Sequence, residues 1–334
     1  MSDKIGIGLI GCGGISAVHR DGWLAASDIA RMVATCDVNR QSAELRKEEL
    51  NAETAYEDYR LLLKRDDLTA VDLCLPHDLH AEVAIAAAQA GKHILCEKPI
   101  AVNQEEARRM IHAAEQNAVT LMIAYCERYS NAHVAMKRLV EAGEIGKPFL
   151  LRIDHSQWVD YPAGHWINDP TKLGGGVVAG SGPHRLDMLR WFGGEVRRVA
   201  ARAVNTGLTQ LGGEDTAVIA LEFDSGAIGE MTCTWSARRY PWYEGFLVFG
   251  RGGMVHNIGG VQLSRNGGDF TPVPLPHDDA AGFREEIAHF LSCIQTGATP
   301  LTSGQEALKT LQLVEAVYTA IKSSNWVDVA AFKR

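Results

Sequence analysis

The chain has 334 residues, a formal net charge of −8 and 46% apolar residues, a balance that fits a globular protein long enough for two domains, each with its own core. No basic run of five or six residues occurs, so neither nucleic acid nor an anionic membrane is expected as a partner. No apolar stretch approaches the length of a bilayer span and no charged-then-apolar leader opens the sequence, so a cytoplasmic location is expected.

Ile5–Ile10 predicts a short strand that runs into Gly11-Cys12-Gly13-Gly14-Ile15-Ser16 and then a helix. Strand, glycine-rich turn and helix together suit a pyrophosphate: Gly11 makes the tight turn, Gly13 lets backbone N–H groups approach, and the helix aims its positive end at the phosphates. Ser16 stands where the usual fingerprint has its third glycine. The second apolar run, Met32–Cys36, ends in Asp37, at the distance expected of a ribose-binding acid. A carboxylate there accepts both ribose hydroxyls of NAD and repels the extra phosphate of NADP. Arg40 would favour that phosphate, and the balance predicts NAD in preference to NADP.

Further along, Tyr56–Leu63 predicts a helix, Ala70–Leu75 a strand ending at Pro76-His77, and Ala81–Ala90 an alanine-rich helix that Gly91 caps. His93-Ile94-Leu95 then leads into Cys96-Glu97-Lys98-Pro99, followed by a helix over Gln104–Gln116 and a strand over Thr120–Ala124. This alternation predicts a parallel, doubly wound sheet. Such sheets bind ligands at the carboxyl ends of their strands, where Gly11–Gly14, Asp37, Pro76-His77 and Glu97-Lys98-Pro99 all fall. An amine such as Lys98, held there between apolar walls, can lose its proton near neutral pH, as an acid/base catalyst requires.

After Tyr125 the pattern changes. A helix over Ala132–Glu141 precedes strands at Phe149–Trp158, Val199–Val204, Thr216–Phe223, Ala227–Thr234 and Phe246–Phe249, with the turn signals of antiparallel connections. Two helices, Gly282–Gln295 and Gln305–Ser323, end the chain. The predicted domains are therefore a dinucleotide-binding domain, residues 1–125, and an α+β domain on an open antiparallel sheet, residues 126–334. Within the latter, a glycine run, Gly174-Gly175-Gly176, leads to a helix start that places Ser181, His184 and Asp187 three residues apart on one side. His155, Trp158, Tyr161, His165 and Trp166 form an aromatic-rich stretch suited to the C–H face and hydroxyls of a sugar.

The seven cysteines form no CxxC pair and read as buried small hydrophobes in a reducing compartment. His77 and His80 lie three apart without further ligands in sequence, and no metal is expected.

These motifs make the whole chain resemble the Gfo/Idh/MocA family of glucose-fructose oxidoreductases and inositol dehydrogenases. The resemblance implies an N-terminal Rossmann domain and a C-terminal sheet that joins subunits as a homodimer or homotetramer. It implies a dinucleotide loop at Gly11, Gly13, Gly14 and Ile15, a ribose contact at Asp37, a cofactor segment at Pro76, His77 and His80, and the Glu97-Lys98-Pro99 signature with Lys98 catalytic. His184 matches the family's histidine, whereas Gly180 stands where the family has an aspartate. Ser181, Asp160 or Asp169 could take that role. The expected activity moves a hydride between NAD and a secondary carbinol or ketone of a sugar, sugar derivative or cyclitol. Lys98 exchanges the proton, His184 polarises the oxygen, and Tyr125, Arg128, His155, Trp158, His165, Trp166 and Ser181 line the substrate. Two alternatives stand beside it: redox-neutral glycoside cleavage by transient oxidation, and a non-catalytic dinucleotide or sugar sensor.

Overall fold

A computed structural model describes residues 4–238, 243–276 and 282–333. The chain divides into two compact units, Met1–Tyr129 with Asp279–Leu308, and Ser130–Asp278 with Lys309–Arg334.

The first unit runs β1 (Ile5–Ile10), α1 (Ser16–Ala25), β2 (Ala30–Cys36), α2 (Arg40–Leu50), β3 (Thr54–Tyr56), α3 (Tyr59–Leu62), β4 (Ala70–Leu73), α4 (His80–Gln89), β5 (His93–Glu97), α5 (Gln104–Gln116) and β6 (Leu121–Ala124). Its six strands lie in the order β3-β2-β1-β4-β5-β6, every pair parallel. The order reverses at β1, and the crevice beyond that switch point is where open α/β sheets take their ligands. β4 and β6 are buried at every residue, as strands covered by helices on both faces must be.

Two differences from the sequence reading have local causes. Tyr56 ends a strand, and the helix expected over Tyr56–Leu63 is a single turn that starts only where Asp58 accepts the backbone N–H of Arg60. Helix α2, which the sequence reading lacks, buries only Ala43, Arg46 and Leu50 and is started by Asn39. Its apolar stripe is too thin to show as a period. The helix Phe283–Thr296 belongs to this first unit, where Ile287, Phe290 and Leu291 share a core with Ile7, Leu9 and Trp23. A boundary after residue 125 therefore leaves out a returning segment.

In the second unit, α6 (Asn131–Glu141), β7 (Pro148–Ser156), α7 (Pro170–Leu173), α8 (Val177–Gly180) and α9 (Gly182–Gly193) come first. β8 (Val196–Val204), β9 (Thr216–Phe223), β10 (Ile228–Thr234), β11 (Tyr243–Gly250), β12 (Gly253–His256), β13 (Gln262–Arg265) and β14 (Thr271–Pro272) follow. With α10 the Phe283–Thr296 helix, α11 (Gly304–Ser323) and β15 (Val327–Asp328) close the described chain. The nine-stranded sheet runs β14-β13-β12-β11-β7-β10-β9-β8-β15. It is antiparallel except between β7 and β10, which run parallel, so the expected antiparallel sheet is a mixed one. Along β9, Ala217, Ile219, Leu221 and Phe223 are buried while Val218 and Ala220 are exposed, the alternation of a sheet covered on one face. The other face carries Val218, Ile228 and the Arg152–Glu230 and Arg198–Glu222 ion pairs.

Candidate functional site

At the end of β1 the chain turns through Gly11 with φ +92°, and a Cβ there would collide with the carbonyl of Cys74. Only glycine fits. Gly13 and Gly14 are exposed, with no atom within 4 Å of where a Cβ would stand, so the loop is an open cradle. Helix α1 has no acidic residue in its first turn and no side-chain cap, which leaves its N–H groups and positive dipole to an anion. Ser16, fully buried, donates to the Gly13 carbonyl at 2.7 Å and accepts from Arg46 at 3.2 Å. The residue in the third glycine position thus ties the loop to α1 and α2.

Asp37 follows β2 and is held beside this loop: Oδ2 accepts from the Cys12 N–H at 2.8 Å and Oδ1 from the Asn39 N–H at 2.8 Å. Arg40 instead reaches Glu44 at 2.9 Å and Glu57 at 3.4 Å. An arginine already paired with two carboxylates is less ready for a 2′-phosphate, which agrees with NAD. Open glycines, a bare helix N-terminus and a fixed carboxylate fit a dinucleotide.

β5 delivers Glu97 and Lys98, with a cis peptide between Lys98 and Pro99. Lys98 is half-buried, whereas Glu97 is 7% exposed and turned inward. Glu97 Oε2 accepts the Lys98 N–H at 3.0 Å, and Oε1 faces His19 Nε2 at 3.0 Å. The other ring nitrogen of His19 lies 2.9 Å from Asp72 Oδ2, and Asp72 also accepts Trp23 Nε1–H at 2.7 Å. His19 and Asp72 are fully buried. Burial alone would lower the histidine, but the Asp72 charge and hydrogen bond hold its pKa well above the usual value. Burial pushes Glu97 up and the His19 and Lys98 charges overcome it, so its carboxyl stays below its usual range. His19, Asp72 and Cys74 bring possible metal-ligating atoms within 4.8 Å of one another. Both histidine nitrogens already meet carboxylates, so hydrogen bonding alone accounts for the group.

Several side chains expected to face a ligand are turned into the protein. His80 is fully buried, its ring nitrogens 2.8 Å from the Pro99 carbonyl and 3.0 Å from that of Leu75. It fastens the turn after β4 to the Lys98 loop, and burial keeps its pKa low. His77 is likewise buried beside it, ring centres 5.7 Å apart, in the turn that Pro76 opens. Tyr125 and Arg128 are buried, and Arg128 approaches Glu306 at 4.0 Å. These side chains shape the walls behind the strand ends.

In the second unit the backbone of Gly176 passes so close to Glu214 that a Cβ would collide with its carbonyl, and the Glu214 carboxylate accepts the N–H groups of Gly176 (3.2 Å) and Val178 (3.0 Å) and the hydroxyl of Tyr318 (2.8 Å). The glycine run therefore serves a backbone crossing. A Cβ on Gly180 would collide with the indole of Trp235, whose Nε1–H donates to Ser181 Oγ at 2.8 Å. An aromatic ring thus fills the space that a side chain at position 180 would need. Ser181 is buried, and Asp169 caps α7 through the Thr171 N–H and hydroxyl. Of the three candidates, only Asp160 stays exposed. From Ser181 to Arg190 every residue is buried except His184, which is partly open.

His155 is 2% exposed and accepts from Arg185 at 2.9 Å, so it braces α9 against β7. His165 stacks on Tyr161 at 4.2 Å with Trp166 beyond, and Trp158 lies beneath the Arg238 guanidinium at 4.2 Å. His165, Trp166 and Trp158 remain partly open, and Tyr161 is exposed. The sequence reading missed His19, Asp72, Arg185 and Trp235. An acid inside the otherwise apolar run Ala70–Leu75 was the available signal for Asp72; the contact of Trp235 with Gly180, 55 positions apart, has no local signature.

A parallel sheet with an open glycine loop and a fixed carboxylate at its switch point defines a nicotinamide-dinucleotide oxidoreductase. The profile of the oxidoreductase family with an NAD-binding Rossmann fold matches residues 5–125, and that of the GFO/IDH/MocA C-terminal domain matches residues 133–256. The chain belongs to this family. It is 30% identical to D-apiose dehydrogenase of Paraburkholderia graminis over 97% of this chain and 90% of that protein. It is also 30% identical to myo-inositol 2-dehydrogenase of Thermotoga maritima over 97% and 98%. Among solved structures, levoglucosan dehydrogenase in complex with NADH shares the fold, with a TM-score of 0.91, 24% identity and coverage of 98% and 99%.

Proposed function

We propose that the protein is an NAD-dependent dehydrogenase or reductase acting on a secondary carbinol or ketone of a sugar, sugar derivative or cyclitol. The observation that carries this reading is the placement of Lys98 at the end of β5, two strands from the glycine loop of β1 in the same sheet. Relatives named as apiose and inositol dehydrogenases supply the substrate class.

In the oxidative direction the carbinol carbon gives up a hydride and its oxygen gives up a proton, leaving a ketone. NAD, when bound, would supply the hydride acceptor. Gly11, Gly13, Gly14 and Ile15 would hold its pyrophosphate and Asp37 its ribose. Lys98, as the neutral amine, takes the hydroxyl proton and returns it in reduction. His184, the open position on α9, serves as hydrogen-bond partner of the same oxygen, and Trp158, His165 and Trp166 pack the C–H face of the ring.

The open face of the nine-stranded sheet, with exposed Val218 and Ile228 among ion pairs, is the surface through which the subunits form a homodimer or homotetramer. Light scattering on the native chain and on V218E is expected to show a larger assembly that the variant dissociates.

The activity test follows absorbance of reduced nicotinamide while the protein meets sugars, cyclitols, keto-sugars and aryl glycosides with NAD or NADH. Net formation or consumption of NADH is expected. Aglycone release without net absorbance change would replace this reading with redox-neutral cleavage, and silence throughout would favour a sensor.

A further inference from the structure

We propose that the buried chain Asp72–His19–Glu97 sets the proton affinity of Lys98, with His19 acting as a positioning residue that takes up the Glu97 charge so that Lys98 can give and accept a proton near neutral pH. This rests on reading Lys98 as the proton-exchanging group.

The geometry is a continuous row from β4 through α1 to β5. Trp23 and His19 both bond Asp72, His19 bonds Glu97 at 3.0 Å, and Glu97 accepts the Lys98 backbone N–H at 3.0 Å. A merely structural brace for the loop would need no charge. Three ionisable side chains packed in one dry row instead form an alternating sequence, carboxylate, imidazolium, carboxylate, that ends at the Lys98 backbone N–H, near enough for the Lys98 charge to act on Glu97. An uncompensated Glu97 carboxylate would hold Lys98 as a permanent ammonium ion and remove the base that oxidation needs. With His19 facing its other oxygen, that charge is shared.

The remaining groups around the row do not supply the compensation. From β4 and β5 come Cys74 and Cys96, and from the turn after β6 comes Cys126; burial raises all three thiols, which stay neutral. From α10 come the Phe283 ring, 5.4 Å from that of His19, and Glu286, whose carboxyl burial pushes well above its usual range, so that it too favours its neutral form. From α4 comes His80, whose ring nitrogens meet the Pro99 and Leu75 carbonyls; it feels the Glu97 and Lys98 charges, and burial lowers it toward the neutral imidazole. His19 is the one imidazole in this group whose environment favours its charged form.

The test reads Lys98 directly and without cofactor. In protein labelled with 13C-lysine, the Lys98 side-chain resonance, identified by its loss in K98R, is followed against pH. H19Q is expected to raise the Lys98 midpoint by about one pH unit and E97Q to lower it by a similar amount. D72N, which removes the anion holding His19 charged, is expected to raise it as H19Q does and carries that arm if H19Q does not fold. Midpoints unmoved in the H19Q or D72N arm and in E97Q, or moved in the same direction, would overturn the proposal, because a structural brace predicts no opposed shifts. If the shifts appear while K98M keeps full turnover, the coupling stands and the catalytic reading of Lys98 fails.

Discussion

The two units hold their chemistry by different means. In the first, each candidate group stands within a few residues of a strand end: Gly11 after β1, Asp37 after β2, His77 after β4, Lys98 after β5. The parallel sheet gathers them by topology alone, and their partners include backbone groups of their own and the neighbouring strand-end turns, as with Asp37 on Asn39 and Cys12. In the second unit, the helix-start cluster is placed by side chains remote in sequence: Glu214 under Gly176, Trp235 over Gly180, His155 against Arg185. A site at strand ends is inherited from the fold, whereas a site at a helix start is built by its packing neighbours and changes with them.

This contrast can be broken most sharply at Lys98. K98A is expected to lower turnover by about 10²- to 10⁴-fold, the range for loss of a general acid/base group, with NADH binding by fluorescence retained. Wild-type turnover in K98A would remove the lysine from the mechanism. Next in size is Asp37, whose charged hydrogen bonds are worth about 1.5–3 kcal/mol. D37A should weaken NADH about 10- to 100-fold and narrow the preference over NADPH. Equal titration curves for the variant and the native chain would show that the ribose is held elsewhere.

The same contrast explains what the sequence disclosed. The strand–glycine–helix signal, the acid after β2 and the Lys98 tetrapeptide are local patterns that topology turns directly into positions in space, so the ligand-facing strand ends of the Rossmann half were legible, whereas α2 and β3 were not. The parallel β7–β10 pair and the return of α10 to the first unit depend on long-range pairing, which local periodicity does not encode. Orientation was the least legible property. Pro76, His80, Glu97 and Tyr125 fall in the expected segments, yet burial turns His80, Glu97 and Tyr125 inward. For Gly180, the missing aspartate was visible as a gap in the pattern, but the indole that takes its space was not.

That indole gives the prediction that sharpens the second half of the comparison. In G180D the new side chain must enter volume held by Trp235, which is 5% exposed and fastened to Ser181. Overpacking of this kind costs about 1–3 kcal/mol, measurable by urea unfolding. In a Trp235→Leu background the same substitution should cost less, because the two positions share one space. Equal costs in both backgrounds would mean that Trp235 is not what excludes the aspartate.

The smallest expected effect lies in the first unit, at Glu286, which is fully buried with neither carboxylate oxygen hydrogen-bonded among the described residues. Burial raises its pKa first, and the Glu97 and Asp72 charges add to this against the opposing His19 charge. A raised acid makes the folded chain bind more protons than the unfolded one above about pH 4.5, so its contribution to stability falls as pH climbs toward the folded pKa. E286Q removes that dependence. Because a carboxamide in the same space also lacks partners, the informative quantity is the slope with pH rather than the offset at one pH. The stability of E286Q relative to the native chain should rise by about 1 kcal/mol between pH 5 and pH 6. A flat difference over that interval would mean that Glu286 is already ionised in the folded protein, and the row beginning at Asp72 would then carry one more negative charge than the single imidazolium of His19 can offset.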